Sequence, residues 1–292
     1  MKIAVLLILA ALPIIASAQK AVKIGNVTGE VYRYQKFNSH HVEARNVDVW
    51  LPAGYSKNKK YAVIYMHDGQ NLFNPNDSDS GVDWGIDETM TRLIAEDKIN
   101  EAIVVGIWNT SKRIIEYSPQ KAFDIVNRKN IKNTSLAKPQ KAESDDYLKF
   151  IVTELKPFID KNYSTKSDRN NTFIMGSSMG GLISLYAASE YPQIFVGAGC
   201  VSTHFPLGNG VMLEYMKKHL PAPKTHKIYF DYGTQTLDAQ YESYQKSADK
   251  IMKRKGYRQG VNWITRKFEG EEHSETSWRK RVDVPITFFL GK

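Results

Sequence analysis

The sequence of 292 residues contains a single cysteine, Cys200. One cysteine cannot form a disulfide within the chain, and no cysteine cluster is present that would hold zinc or an iron–sulfur centre. Cys200 lies in an apolar run at residues 195–201, so we expect a buried and inert thiol. The composition therefore excludes a disulfide-built fold and a thiolate metal site, and we predict no cofactor.

Long apolar runs are also scarce. Lys2 precedes an apolar run at residues 3–15, which ends at Ala16, Ser17 and Ala18. This order is typical of a signal peptide with its cleavage site, and the run is too short to span a bilayer comfortably. No later segment has the length or apolarity of a transmembrane helix. We therefore predict removal of residues 1–18 and a secreted or periplasmic protein without a membrane span.

Acidic residues are fewer than basic ones, 31 against 40, which gives a formal net charge of +9. The basic residues are scattered or lie on predicted helix faces, and no basic motif is interleaved with aromatic residues. This distribution favours a solvated basic face over a nucleic-acid interface, although it would attract anionic substrates.

Buried strand patterns alternate with helix patterns along the remaining chain. The predicted strands are 31–37, 47–52, 61–67, 102–107, 172–175, 195–202, 227–232 and 261–269. The predicted helices are 85–97, 147–162, 182–190 and 237–255, with short helices around Trp278 and after Pro285. The alternation predicts a single α/β domain over residues 19–292, with a mostly parallel sheet covered on both faces.

The polar, lysine-rich segment at residues 108–144 shows no regular pattern. It follows the carboxyl end of a predicted central strand, where open α/β sheets bind their ligands. Long irregular segments inside a compact domain are usually functional or flexible. We therefore interpret residues 108–144 as an insertion on the substrate side.

The clearest chemical signal is a strand, a sharp Gly-x-Ser-x-Gly turn and a helix at residues 171–190. This arrangement is typical of a nucleophile elbow, with Ser178 at its tip. A Cβ at Gly176 or Gly180 would collide with the neighbouring strand or helix. The backbone N–H of Met179 opens the helix, so we predict that it is one donor of an oxyanion hole.

A serine nucleophile needs a base, and the sequence offers seven histidines. In this kind of fold the order along the chain is serine, acid, histidine, which favours His273 because it follows the last predicted strand. His204 follows the strand after the elbow and would leave only Glu190 between nucleophile and base. We interpret His204 as a pocket wall or a structural histidine.

The acid is harder to choose, because Asp231, Asp238, Glu242 and Asp249 all precede His273. Asp238 follows the strand 227–232 by one short loop, where the acid is expected. Asp231 lies inside that strand, where a side chain can simply cap a backbone group. We prefer Asp238 and keep Asp231 as the alternative.

The loop after His67 is expected to supply the second oxyanion donor, and the backbone N–H of Gln70 is our prediction. An ordinary Asp-Gly turn at Asp68 is compatible with the same residues. Asp77 and Asp79 lie in this loop, but two spaced aspartates without the further ligands of a calcium loop indicate solvated side chains. We therefore predict no metal site.

Several pieces of the sequence together resemble the putative-esterase branch of the α/β-hydrolase superfamily. The matching pieces are residues 65–70, 84–88, Arg113 with 116–119, 176–181, 201–204, and 272–275 with Trp278. The branch includes ferric-siderophore trilactone esterases, feruloyl and acetylxylan esterases, S-formylglutathione hydrolases and mycolyltransferases. The resemblance implies an α/β-hydrolase fold with a catalytic serine and histidine at Ser178 and His273, whereas the acid of the family is less uniform.

The expected function is a secreted serine esterase that works through an acyl-Ser178 intermediate. A siderophore lactone and an acyl or feruloyl group on a polysaccharide are the two expected substrates. The basic charge leans towards the anionic siderophore, and Trp108 would suit an aromatic acyl group. Trp108, Arg113 and His204 are the predicted substrate contacts. The alternatives are an acyltransferase on the same site and a non-catalytic ligand-binding relative, which the retained Ser178 and His273 disfavour.

Overall fold

The computed structural model describes residues 20–128 and 141–292, so the predicted signal peptide lies outside the described residues. Within them, nine strands form one sheet in the order β1-β2-β3-β5-β4-β6-β7-β8-β9. The strands are β1 (Ala21–Ile24), β2 (Glu30–Phe37), β3 (Arg45–Leu51), β4 (Ala62–His67), β5 (Ala102–Ile107), β6 (Thr172–Ser177), β7 (Gly197–Val201), β8 (Lys227–Tyr232) and β9 (Trp263–Lys267).

Helices cover both faces of this sheet. They are α1 (Ile86–Ala95), α2 (Arg113–Tyr117), α3 (Gln120–Arg128), α4 (Ser144–Lys149), α5 (Lys156–Asn162), α6 (Met179–Glu190), α7 (Val211–His219), α8 (Glu242–Arg254), α9 (Glu275–Arg279) and α10 (Asp283–Leu290). A π-helical segment, Phe150–Leu155, joins α4 to α5. No helix among the described residues is long and apolar enough to cross a membrane.

The sheet is antiparallel from β1 to β3 and where β3 meets β5, and parallel from β5 to β9. Successive side chains of a strand point to opposite faces, so a strand with helices on both faces is apolar throughout. Strand β4 shows this directly. Val63 and Tyr65 enter the core on one face, and Ile64 and Met66 enter the core on the other. The predicted mostly parallel, doubly covered sheet is confirmed.

Some elements differ from the sequence prediction. Strand β1 and helix α7 carried no recognised pattern, and α6 begins at Met179, three residues before the predicted start. The predicted helix 237–255 is wrong as one element. It consists of a 3₁₀ turn, Thr236–Gln240, followed by α8, and this break holds Asp238 in a tight turn directly after β8.

The prediction of an irregular segment at residues 108–144 is wrong for its first half, which contains α2 and α3. Residues 129–140 lie outside the described part of the chain. Helix α2 is held by tertiary contacts, because the Glu116 carboxylate accepts two hydrogen bonds from Arg45, at 2.7 and 2.8 Å. Both side chains are at most 1% exposed. Helix α2 has only five residues, which are too few to show a helical period, and this explains why the sequence did not predict it.

This buried ion pair gives a stability prediction. Glu116→Ala should lower the free energy of unfolding by about 3–5 kcal/mol, because the Arg45 guanidinium would remain buried without its partner. Urea unfolding followed by circular dichroism measures the change. Lys149→Ala is the control, since Lys149 pairs with Asp146 while both side chains are half exposed, and it should change stability by less than about 0.5 kcal/mol. A loss as small as the control's in Glu116→Ala would contradict the prediction.

Candidate active site

Ser178 lies at the junction of β6 and α6, with φ 56° and ψ −117°. A non-glycine residue in this region of backbone space is strained and persists only where its surroundings hold it. Two backbone hydrogen bonds do so here. The Ser178 N–H donates to Val201 O at 2.9 Å, and the His204 N–H donates to Ser178 O at 3.1 Å. The end of β7 therefore fixes the elbow.

The glycines of the elbow lie close to neighbouring atoms, but the crowded positions are not all the predicted ones. A Cβ on Gly176 would lie 3.0 Å from the backbone of Gly180, so a larger residue there would have to displace the start of α6. A Cβ on Gly180 would meet its nearest neighbours at 3.4 Å, which is close to ordinary van der Waals contact, so the predicted collision at Gly180 is wrong. The crowded second position is Gly181, where a Cβ would lie 2.9 Å from Thr203 Oγ1.

His273 and Asp238 are in direct contact, with His273 Nδ1 2.6 Å from Asp238 Oδ1. The other carboxylate oxygen accepts hydrogen bonds from Ser202 Oγ and the Gly233 N–H, each at 2.6 Å. Burial raises the pKa of Asp238, but the hydrogen bonds from His273, Ser202 and Gly233 outweigh burial and hold the pKa below its ordinary value. The acid is therefore ionised at neutral pH.

Asp231, the alternative acid, makes different contacts. Its Oδ1 accepts hydrogen bonds from the Ser202 N–H at 3.0 Å and Arg281 Nη2 at 3.1 Å, and its Oδ2 accepts one from the Tyr229 hydroxyl at 2.8 Å. None of these hydrogen bonds goes to His273. Of the two aspartates considered from the sequence, the structure brings Asp238 to the histidine.

Sequence reasoning missed the residues that orient Asp238. The Ser202 hydroxyl donates to Asp238 and accepts hydrogen bonds from Trp278 Nε1 at 3.0 Å and Arg281 Nη2 at 2.8 Å. Ser202 is fully buried, so its hydroxyl finds all of these hydrogen-bond partners inside the protein. Ser202 and Trp278 belong to matched sequence pieces, which is the one signal that could have found them.

Ser178 and His273 line the same pocket, which has a volume of about 400 Å³. Its charged lining consists of three carboxylates, Asp68, Asp79 and Glu275, and one guanidinium, Arg113. Arg113 is committed to an ion pair, because its Nε and Nη2 donate to the two Asp68 oxygens at 2.7 Å each. The pocket therefore has no unbalanced positive charge, in contrast to the basic chain as a whole.

Of the predicted substrate contacts and oxyanion donors, only Arg113 lines this pocket, whereas Trp108, His204, Gln70 and Met179 do not. The Trp108 indole N–H donates to Asp48 Oδ2 at 2.9 Å, and the Arg33 guanidinium lies 4.4 Å from the centre of the Trp108 ring, so the side chain is turned towards β3. Gln70 does not line the pocket either, and its Oε1 accepts a hydrogen bond from the backbone N–H of Asn109 at 3.3 Å. Met179 N is the first amide of α6, and such an amide has no partner within its helix.

His204 is joined to Ser178 through its backbone, since its N–H donates to Ser178 O at 3.1 Å. Its side chain contacts another residue, with Nδ1 2.6 Å from the hydroxyl of Tyr241. Burial, together with the positive charges of His273 and Arg113, lowers the pKa of His204 to about 4. His204 is therefore neutral at pH 7. Tyr241 carried no signal in the sequence.

Among the described residues, three carboxylates lie close enough together to bind a metal ion, away from this pocket, at Asp83, Asp87 and Glu88. The Arg279 guanidinium pairs with Asp83 and with Glu88, so a side chain supplies counter-charge to this cluster. Asp77, considered for calcium, accepts a hydrogen bond from Arg33 Nη2 at 2.8 Å.

Relatives of the chain are found by sequence. Residues 40–284 match the family described as "Putative esterase". The uncharacterized protein YjcH of Bacillus subtilis (strain 168) is 27% identical over 215 residues, which are 72% of this chain and 75% of that protein. An endo-1,4-beta-xylanase/feruloyl esterase of Xylanibacter ruminicola is 28% identical over 191 residues, which are 64% of this chain and only 22% of that longer protein.

Solved structures share the fold. A ferulic acid esterase superposes with a TM-score of 0.65 at 18% identity and covers 90% of this chain and 98% of its own. The enterobactin esterase FES of Shigella flexneri superposes with a TM-score of 0.64 at 16% identity, covering 90% of this chain and 59% of its own. The fold is the α/β-hydrolase fold. Because the family match extends over residues 40–284, the chain belongs to the "Putative esterase" family.

Proposed function

We propose that this protein is a serine carboxylic-ester hydrolase with Ser178 as nucleophile, His273 as base and Asp238 as acid. The observation that carries the proposal is the 2.6 Å contact between His273 and an ionised, buried Asp238, at a pocket that Ser178 also lines. The strained elbow and the membership of an esterase family support it.

The proposed mechanism follows from these contacts. The Asp238 carboxylate accepts the Nδ1–H of His273, which leaves Nε2 free to take the Ser178 proton as Oγ attacks the ester carbonyl. The hydrogen bond between Ser178 and His273 forms when substrate binds, since such bonds are often long in free enzymes. His273 then protonates the leaving alcohol, and a water molecule hydrolyses the acyl-Ser178 ester by the reverse proton transfers.

The negative charge on the carbonyl oxygen needs donors at the elbow. Met179 N–H points from the start of α6, where the helix dipole also favours an anion. The backbone N–H of Gln70 stays our prediction for the second donor. It lies in the 3₁₀ turn Gly69–Asn71 directly after β4, the strand beside β6.

For the substrate, we propose an acyl group esterified to a sugar hydroxyl of a polysaccharide. The charged lining of the pocket is mainly acidic, and Arg113 is neutralised by Asp68, so an anionic ferric siderophore would meet repulsion from Asp79 and Glu275. A pocket lined by carboxylates and by Trp278 suits a neutral, hydroxyl-rich ligand. The relative with a feruloyl esterase in its name supports this choice, and the predicted signal peptide accords with an extracellular substrate.

The assignment of the acid can be tested by a matched pair of variants. Asp238→Asn should lower kcat by roughly ten-thousand-fold with little change in KM, because the wrong tautomer of His273 would be favoured. Asp231→Asn, which touches neither Ser178 nor His273, should lower the melting temperature and leave kcat within about tenfold, or roughly 1.4 kcal/mol of barrier. Hydrolysis of p-nitrophenyl acetate and thermal melting measure both.

Ser178→Ala is the reference for complete loss, at about a million-fold in kcat. If Asp231→Asn loses kcat and Asp238→Asn keeps it, Asp238 is the wrong choice for the acid. If neither variant loses more than tenfold, Ser178 and His273 work as a dyad. Retention of a tenth of the wild-type rate by Ser178→Ala would refute the nucleophile.

The substrate proposal predicts that a change of charge in the pocket alters kcat/KM in opposite directions for a neutral and an anionic ester. Wild-type kcat/KM should be at least about tenfold higher for a feruloylated or acetylated xylo-oligosaccharide than for a ferric catecholate trilactone. Glu275→Lys should narrow or reverse that preference. Glu269→Lys is the control, because it changes net charge equally at an exposed residue away from the pocket lining. Higher wild-type activity on the trilactone would contradict the proposal.

A further inference from the structure

The turn after β4 begins at a strained residue. Asp68 has φ 56° and ψ 48°, in the left-handed region that is costly for a residue with a Cβ. The turn that follows, Gly69–Asn71, carries Gln70, whose backbone N–H is the predicted second oxyanion donor. This N–H makes no hydrogen bond to another described residue. Asp68 and Asn71, on either side of it, line the pocket, so the backbone of this turn runs beside the site.

Three hydrogen bonds hold the Asp68 carboxylate. Oδ1 accepts from Arg113 Nε and Asn109 Nδ2, and Oδ2 accepts from Arg113 Nη2, each at 2.7 Å. A bidentate contact of this kind fixes the orientation of a carboxylate as well as its distance. Burial raises the pKa of Asp68, but the charge of Arg113 and these hydrogen bonds outweigh burial and hold the pKa below its ordinary value. The two residues therefore form a charged pair at neutral pH.

Helix α2 contacts the backbone of Asp68 as well as its side chain. Arg113 and Tyr117 are the two ends of this helix, and the Asp68 N–H donates to the Tyr117 hydroxyl at 3.4 Å. The buried pair of Glu116 with Arg45 fixes the helix in turn against β3. One short helix, itself held in place, therefore holds the strained residue.

The turn has little room on the side of β5. A Cβ on Gly69 would lie 2.5 Å from the carbonyl carbon of Gly106, so the backbone of the turn packs directly on this strand. Asn109, two residues beyond β5, contacts the turn twice. Its side chain donates to Asp68, and its backbone N–H donates to Gln70 Oε1 at 3.3 Å. The residues after β5 thus hold both Asp68 and Gln70.

The Asp68 carboxylate also lies beside the elbow. A Cβ on Gly180, in the first turn of α6, would lie 3.4 Å from Asp68 Oδ2. The carboxylate is therefore close to both α2 and the start of α6, where Met179 is the first residue. A shift of Asp68 would change the separation of the Gln70 and Met179 N–H groups, and stabilising an oxyanion requires both groups in fixed places.

We propose that Arg113 and Asp68 are positioning residues, whose ion pair sets the turn so that the Gln70 N–H meets the oxyanion together with the Met179 N–H. The inference rests on the proposed function, since it needs attack by Ser178 on an ester carbonyl. Arg113 then acts on the turn and not on the substrate. The two N–H groups bind most strongly when the carbonyl oxygen becomes charged, so loss of the pair lowers kcat and leaves KM nearly unchanged.

The test compares p-nitrophenyl acetate with its thionoester, in which sulfur replaces the carbonyl oxygen. Sulfur accepts hydrogen bonds weakly, so the wild-type enzyme should prefer the oxygen ester. Arg113→Ala should lower kcat for the oxygen ester on the order of 10- to 100-fold, approaching the loss of one oxyanion donor, with little change in KM. The preference for the oxygen ester should fall by a similar factor, which a general loss of structure would not produce.

A partner variant and a matched control complete the set. Asp68→Ala should behave like Arg113→Ala, and the double variant should be no slower than the slower single variant, because the two residues act as one unit. Asp97→Ala is the control, since Asp97 also has φ 56° and pairs with a cation, Lys292, outside the pocket lining. It should keep the wild-type kcat and the wild-type preference for oxygen.

Arg113→Lys replaces the alanine variants if they do not fold, because lysine keeps the charge but not the bidentate contact. It should lower kcat on the order of 3- to 10-fold at unchanged KM, with a reduced preference for oxygen. A raised KM with unchanged kcat, as expected of a substrate contact, would overturn the proposal, and so would an equal loss on both esters. Failure of the proposed function gives a different result, namely an inactive wild-type protein or an active Ser178→Ala.

Discussion

The buried carboxylate of Asp238 is the charge on which the loops at the carboxyl edge of the sheet depend. Its side chain is completely removed from solvent, and an ionised group there is tolerated only with hydrogen bonds to its oxygens. Those bonds come from the loops after three different strands. Ser202 follows β7, Gly233 follows β8 and His273 follows β9. One ion therefore sets the relative position of three loops, and the base is one of its partners.

The short distance between these loops explains why residue 233 is a glycine, which the sequence alone does not explain. A Cβ on Gly233 would lie 2.1 Å from the carbonyl oxygen of Glu271, so any other residue would force apart the loops after β8 and β9. The same carbonyl accepts hydrogen bonds from the backbone N–H groups of Thr234 and Gln235, at 2.9 and 3.0 Å. Backbone hydrogen bonds thus hold the loop that carries Asp238 against the loop that carries His273, and these bonds involve no side chain.

The sequence predicted those site residues whose chemistry requires a recognisable local pattern. The elbow needs a serine between small residues at the end of a strand, and the chain order places a histidine after the last strand, so Ser178 and His273 could be named. Tyr241 and Ser202 make contacts between loops that are far apart in the chain, and single polar residues in such loops have no period to detect. For Trp108, an aromatic residue after a central strand suggested a substrate contact, whereas the structure places its side chain against Asp48 and Arg33.

Two buried aspartates only seven residues apart show why geometry decides between chemically equal candidates. Arg281 pairs with Asp231 at 3.1 Å and reaches Asp238 at 3.9 Å, so both carboxylates share one guanidinium. Burial raises the pKa of Asp231, and its oxygens are occupied by Arg281, Ser202 N–H and Tyr229. Asp238 instead presents one oxygen to His273 alone and anchors the other on Ser202 and Gly233. Asp231 therefore fixes Arg281 and the backbone of Ser202, and this fixed pair in turn holds the carboxylate that faces the histidine.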